Sequence, residues 1–111
     1  MVRRGLTVAT AALATAFTAA LVTATPAQAA VVDVTFGPTS IGDYCHARVS
    51  SSSWIGFYEP GGLRCYAGGM GGALQYAGSG DPYLACKYLT TDVVMSASRG
   101  ASDALVCRVV R

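Results

Sequence analysis

Four cysteines constrain the fold of this chain more than any other feature of its sequence. Cys45, Cys65, Cys86 and Cys107 follow one another at intervals of 20 or 21 residues. An even number of cysteines in a short exported chain predicts disulfide bonds, because such bonds persist in an oxidising compartment. Four cysteines allow three pairings, and the proximity of neighbouring hairpin strands favours Cys45–Cys65 together with Cys86–Cys107. We therefore expect a small domain that is stabilised by two disulfides.

The first 29 residues have the composition of a secretory signal peptide. Arg3 and Arg4 precede a long apolar run, and small residues at positions 27 and 29 mark a cleavage site before Ala30. The alternative is an uncleaved anchor, since the run approaches the ~18 apolar residues that a membrane span needs. We predict that residues 1–29 are removed and that residues 30–111 form one small domain. This domain is expected to be secreted into the extracellular space, with no membrane attachment after cleavage.

The charge balance of residues 30–111 restricts the class of partner. This segment holds six basic and six acidic residues, so its net charge is zero, and Arg3 and Arg4 account for the +2 of the full chain. Phosphate backbones are bound by clustered Lys and Arg, so we expect no nucleic-acid partner. The same balance disfavours an antimicrobial or toxin-like protein, which usually carries a basic surface.

Short apolar segments recur about every ten residues, separated by Gly, Pro, Ser and Asp. Several of them alternate between apolar and polar residues, and each cysteine has the apolar parity of its own segment. This pattern predicts an all-β fold, a small disulfide-stabilised sandwich or barrel of about six to eight short strands. A short helix is the alternative for residues 91–98. The predicted strands cover residues 31–36, 44–49, 54–58, 63–67, 73–77, 83–89, 91–98 and 105–110.

The near-equal cysteine spacing raises the question of an internal repeat. The sequences Gly-Leu-Arg-Cys-Tyr, Tyr-Leu-Ala-Cys-Lys-Tyr and Ala-Leu-Val-Cys-Arg surround the last three cysteines. They share little beyond an aliphatic residue shortly before the cysteine. We therefore interpret the similarity as common strand composition and not as a duplication.

No arrangement of polar residues predicts catalysis or metal binding. His46 is the only histidine, and the chain has no C-x-x-C or H-x-x-H pair, so we expect neither a metal site nor a cofactor. A small ribonuclease-like hydrolase would need a carboxylate, a histidine and an arginine. His46, Glu59 and Arg64 supply these residue types, but no motif surrounds them. We therefore predict that the protein is not an enzyme.

Aromatic residues give the strongest indication of function. A candidate binding face is formed by Trp54, Tyr58, Glu59, Arg64 and Tyr66, which lie around a Pro-Gly-Gly turn. Tyr66 has the polar parity of Arg64 and should face solvent, and exposed tyrosine and arginine are typical of protein-binding faces. We therefore expect a non-enzymatic binding module, such as a hydrolase inhibitor, whose partner is an extracellular protein or a cell-wall glycan. The alternative is a structural protein that self-associates through sheet edges, and the sequence leaves the oligomeric state open.

Overall fold

Six strands and two α-helices make up the part of the chain that the computed structural model describes, residues 29–111. The predicted signal peptide lies outside the described residues, apart from Ala29. Neither α-helix within residues 29–111 combines the length and the apolar composition that a membrane-spanning helix requires. In chain order the elements are β1 (Val31–Phe36), α1 (Pro38–Arg48), β2 (Ile55–Glu59), β3 (Gly62–Gly68), β4 (Leu74–Gly80), α2 (Pro82–Leu89), β5 (Val93–Arg99) and β6 (Leu105–Val110).

The strands form two antiparallel sheets, which confirms a small, mostly-β fold with two disulfides. Sheet I has the strand order β1-β6-β5, and sheet II has the order β2-β3-β4. The two sheets are separate, so the described strands do not close into a single barrel. Helix α1 packs on β2 and β3, helix α2 packs on β5 and β6, and the two helices contact each other.

The described part of the chain consists of two halves with the same order of elements, a strand, a helix and a pair of strands. The first half is β1-α1-β2-β3 and the second is β4-α2-β5-β6. The first strand of each half pairs with the last strand of the other, so β1 lies beside β6 and β4 lies beside β3. Each half therefore completes the sheet of the other, and neither sheet belongs to one half alone.

This symmetry relates two of the three cysteine-containing sequences, those of β3 and β6, whereas Tyr-Leu-Ala-Cys-Lys-Tyr lies in helix α2. Leu63 and Cys65 of β3 occupy the positions that Leu105 and Cys107 occupy in β6, and all four residues are fully buried. Each leucine precedes its cysteine by two residues and therefore points to the same face of its strand. The repeat is structural, although few side chains besides these are shared.

The strand predictions for residues 44–49 and 83–89 are wrong, because residues 44–48 and 83–89 are helical. Pro38 and Pro82 stand at the start of α1 and α2, where the fixed φ of proline suits the first helical turn. The Asp81 carboxylate caps α2 by accepting hydrogen bonds from the backbone N–H groups of Tyr83 and Leu84, at 2.8 and 3.0 Å. The alternation of apolar and polar residues over 44–49 covers only six positions, and it is a weaker indication than the proline at the start of the helix. Strand β5 covers residues 93–98 of the predicted strand 91–98, so this segment is not the short helix of the alternative.

Each helix is bonded covalently to the last strand of its own half. Cys45 of α1 is linked to Cys65 of β3, and Cys86 of α2 is linked to Cys107 of β6, with Cα atoms 5.7 Å apart in both bonds. The bonds join a helix to a strand, and not two neighbouring strands as the sequence argument assumed. All four cysteines are fully buried and form the centre of the core. The core cluster also contains Ile41, Tyr44, Leu63, Ala85, Leu105 and Val109.

Two five-residue turns share one conformation but differ in sequence. In residues 69–73 and 100–104 alike, the N–H of the leading glycine donates to the carbonyl oxygen of the closing alanine, at 2.7 and 2.8 Å. The first turn places Gly71 and Gly72 at φ 72° and 83°. The second places Ser102 and Asp103 at φ 56° and 58°, in the left-handed region that a Cβ disfavours.

We predict that Ser102→Gly raises the free energy of unfolding by about 0.5–1 kcal/mol, because glycine adopts this conformation without the steric cost of a Cβ. The reciprocal change, Gly71→Ser, is expected to lower it by a similar amount. Urea denaturation of the oxidised protein measures both effects. Gly68→Ala is the control, since a Cβ there meets nothing within 4 Å. Equal stabilities of Ser102→Gly and Gly71→Ser would contradict this account of the turns.

Candidate binding face

The outer face of sheet II is set by the alternation along β3. Leu63 and Cys65 are fully buried on the helix side of the sheet, whereas Arg64 and Tyr66 point to the opposite side and are partly exposed. Strand β2 pairs with one edge of β3 and strand β4 with the other. Side chains of all three strands therefore meet on this outer face.

Three aromatic rings cross the outer face from one edge strand to the other. Phe57 of β2 and Tyr66 of β3 have ring centroids 6.0 Å apart at an interplanar angle of 64°. Tyr66 and Tyr76 of β4 have centroids 6.1 Å apart at 73°. Both are edge-to-face contacts, the arrangement that the ring quadrupoles favour. We refer to Phe57, Tyr66 and Tyr76 as the aromatic row, and its outermost member, Tyr76, is 55% exposed.

The central ring of the row is held by a charged hydrogen bond. The Tyr66 hydroxyl donates to Glu59 Oε2 at 2.5 Å, and Arg64 Nε lies 3.8 Å from Glu59 Oε1. A hydrogen bond to an ionised acceptor is shorter and stronger than one between neutral groups. The bond to the Glu59 carboxylate, with some loss of hydration, raises the pKa of Tyr66 above its ordinary value of 10.0. Tyr66 is therefore neutral at physiological pH and fixed in orientation.

The structure divides the five residues of the predicted face into two groups. Glu59, Arg64 and Tyr66 lie together on the outer face of sheet II. Tyr58 has the opposite parity from Glu59 and packs against the core, so it is not part of this face. Trp54 precedes β2 and stacks on the ring of His46, with centroids 4.0 Å apart. It is 63% exposed, but its ring contact is with helix α1 and not with the aromatic row.

Sequence reasoning missed two members of the aromatic row, Phe57 and Tyr76. Phe57 shares the parity of Glu59, so the alternation that identified Tyr66 also assigns Phe57 to the outer face. Tyr76 required knowledge that β4 pairs with β3, in a register that places it opposite Tyr66. That register includes an irregularity between Cys65 and Tyr66, which no local pattern predicts.

The three residues of the ribonuclease-like alternative make contacts in different places. His46 Nδ1 lies 3.2 Å from the Ser53 carbonyl oxygen, and its ring stacks on Trp54. The Glu59 carboxylate contacts Tyr66 and Arg64. Among residues 29–111, no contact joins His46 to that carboxylate, and no group of three or more His, Cys, Asp or Glu side chains is arranged to hold a metal.

Replacing Glu59 with alanine is expected to bring the pKa of Tyr66 back towards 10, because both the acceptor and its charge are removed. Since the folded-state pKa is raised, the bond contributes stability that is fully present below pH 10 and is lost as the pH rises through the folded-state pKa. NMR of ¹³Cζ-labelled tyrosine follows the six hydroxyls separately. Asp103→Ala, which removes an acid paired with Arg99, is the control. An unchanged titration of Tyr66 in Glu59→Ala would contradict the assigned hydrogen bond.

Comparison of the chain with models of protein families, with curated proteins and with solved structures finds no match. A function assigned to the chain therefore has to come from its own side chains and their arrangement, because a mostly-β fold of this size carries no particular activity with it.

Proposed function

We propose that the protein is a secreted, non-enzymatic binding module that uses the outer face of sheet II to bind an extracellular protein, a hydrolase that it inhibits. The observation that carries this proposal is the aromatic row, in which Tyr66 is held by Glu59 and Tyr76 is more than half exposed. Tyrosine and arginine are enriched among the residues that contribute most to binding energy in protein interfaces. Arg64 lies beside the row on the same face.

Rigidity of the face supports a binding role. Each ring of the row contacts the next, and Tyr66 makes a hydrogen bond, so few side-chain rotamers remain to be lost on association. Cys65 lies between Arg64 and Tyr66 along β3, and its bond to Cys45 ties that part of the strand to helix α1. A partner would therefore meet an ordered surface, and less of the contact energy would be lost to ordering side chains on association.

The turn that joins β2 to β3 lies at the end of the same face. Glu59 pairs with Gly62 across the turn, and Pro60 and Gly61 at its tip are exposed. A turn held between two paired strands presents its backbone in a fixed conformation. We propose that this turn enters the substrate cleft of the hydrolase while the aromatic row packs beside it.

A second candidate function, self-association, is favoured by one specific observation. Strand β4 is an edge of sheet II, and its side chains Leu74 and Tyr76 are 51% and 55% exposed. An edge strand offers unpaired backbone groups to another strand, and exposed apolar side chains would add to that pairing. The same surface would then join copies of this chain instead of a different protein.

Tyr76→Ala and Tyr66→Ala are each expected to weaken binding to the partner about 30-fold or more, the loss of about 2 kcal/mol that defines a dominant contact. The partner is first captured from the secreted proteins of the producing organism on immobilised oxidised protein and identified by mass spectrometry. Isothermal titration calorimetry with the purified partner then measures each variant, and its hydrolase activity is assayed with and without the module. Met95→Ala, on exposed strand β5, is the control and should bind normally.

Three outcomes would overturn the proposal. If folded Tyr66→Ala and Tyr76→Ala bound the partner with unchanged affinity, the aromatic row would not be part of the interface. If the immobilised protein retained cell-wall glycan but no protein, the partner would be a glycan and not a hydrolase. The third outcome is that no foreign protein is captured and that the sedimentation coefficient depends on protein concentration. If Tyr76→Ala abolished that dependence, the face would be assigned to self-association.

A further inference from the structure

An open cleft lies between the two helices, on a different part of the molecule from the aromatic row. It has a volume of about 400 Å³ and is lined by Tyr44 and Arg48 of α1 and by Leu84, Lys87 and Tyr88 of α2. This volume is in the range of small-molecule sites. We infer that the cleft binds an organic anion, a carboxylate attached to an apolar or aromatic body. This site is additional to the proposed function and does not depend on it.

The charge of the cleft is the first observation behind this inference. Within residues 29–111, no carboxylate lies within 4.0 Å of Arg48 or Lys87, whereas each of the other four cations of residues 30–111 has one. No acidic residue lines the cleft. A domain of zero net charge thus concentrates its uncompensated positive charge in one place. The four ion pairs elsewhere are Arg64–Glu59, Arg99–Asp103, Arg108–Asp33 and Arg111–Asp92.

Both cations lie against aromatic rings, Arg48 against Tyr88 of the cleft lining and Lys87 against Tyr83, which does not line the cleft. The guanidinium carbon of Arg48 lies 5.5 Å from the centroid of the Tyr88 ring, and Lys87 Nζ lies 5.7 Å from that of Tyr83. Contacts of this kind attract a cation to a ring face without neutralising its charge. Both side chains therefore remain able to bind an anion. The planar guanidinium matches the two oxygens of a carboxylate, and the ammonium adds a second positive charge.

The side chains that form the walls of the cleft indicate the chemistry of the ligand next to its carboxylate. Tyr44 is only 4% exposed and contacts Tyr88 edge to face, with ring centroids 6.1 Å apart. Its hydroxyl accepts a hydrogen bond from the Asp81 N–H at 3.3 Å, which helps to fix the ring. Leu84 contributes an aliphatic wall and is 54% exposed. Two rings and a leucine favour an apolar or aromatic group next to the carboxylate.

A structural role for the same cations makes a different prediction. Arg48 and Lys87 lie in the last turns of their helices, where a positive charge also stabilises the helix itself. Neutralising them would then change the melting temperature without changing ligand binding. The test must therefore record binding and stability separately.

The test is an NMR titration of the oxidised, ¹⁵N-labelled protein with 4-phenylbutyrate and, separately, with its neutral amide. We expect the acid to shift the amide signals of the last turns of α1 and α2, and the amide compound to bind at least about tenfold more weakly. The double variant Arg48→Gln/Lys87→Gln should lose about tenfold in affinity for the acid, as expected for two ion pairs made by solvent-exposed side chains. Arg99→Gln removes a paired cation on β5 and is the matched control.

Equal affinity for the acid and the amide would overturn the inference, as would unchanged binding of the acid by the double variant. A lower melting temperature of the double variant with the same affinity would assign the cations to helix stability alone. Titration with N-acetyl-glycyl-phenylalanine and with its C-terminal amide distinguishes the source of the carboxylate. Tighter binding of this peptide than of 4-phenylbutyrate would point to a peptide C-terminus, and weaker binding to a free organic acid.

Discussion

Two buried disulfides carry the stability on which the rest of this small fold depends. Ten residues form the buried core cluster of the described chain, and four of them are cysteines. Apolar burial on this scale leaves a domain of this size only marginally stable. Closing a loop of about 20 residues contributes roughly 3 kcal/mol in the chain-entropy model, so the two bonds together are comparable to the net stability of such a domain. Each bond also fixes a helix on the strand pair that follows it.

The disulfides act within each half, and the exchanged strands join the halves. Strand β1 pairs with β6 and strand β4 pairs with β3, so each sheet contains residues from both halves. The two proposed sites use this construction differently. The aromatic row lies on a sheet that needs β4 from the second half, and the cleft lies between the helices of both halves. Neither site would exist in one half alone, which is a physical reason for the two halves to fold as one unit.

Local patterns predicted the elements whose partners are close in sequence. The alternation along β3 assigned Arg64 and Tyr66 to the outer face, and the Pro-Gly-Gly turn marked the β2-β3 hairpin. The same kind of pattern failed for residues 44–49, where helical burial of Ile41, Tyr44 and Cys45 gives a similar apolar sequence over a few residues. The exchange of strands and the cleft between α1 and α2 depend on contacts between distant segments. Such contacts leave no periodic pattern of apolar and polar residues in the local sequence. The sequence therefore did not predict that Tyr76 lies on the face or that Arg48 lies beside Tyr88.

Hydrogen exchange in a protein that lacks one disulfide would test the interlocked fold most directly. In the variant Cys45→Ala/Cys65→Ala, sheet II loses its covalent link to α1, while the Cys86–Cys107 bond of the second half remains. Because β1 and β4 are exchanged, we predict that amide protection falls together in β3 and in β6, to the same free energy of opening. Protection that is lost in β3 but retained at the wild-type level in β6 would show that the halves are independent, and would contradict the account.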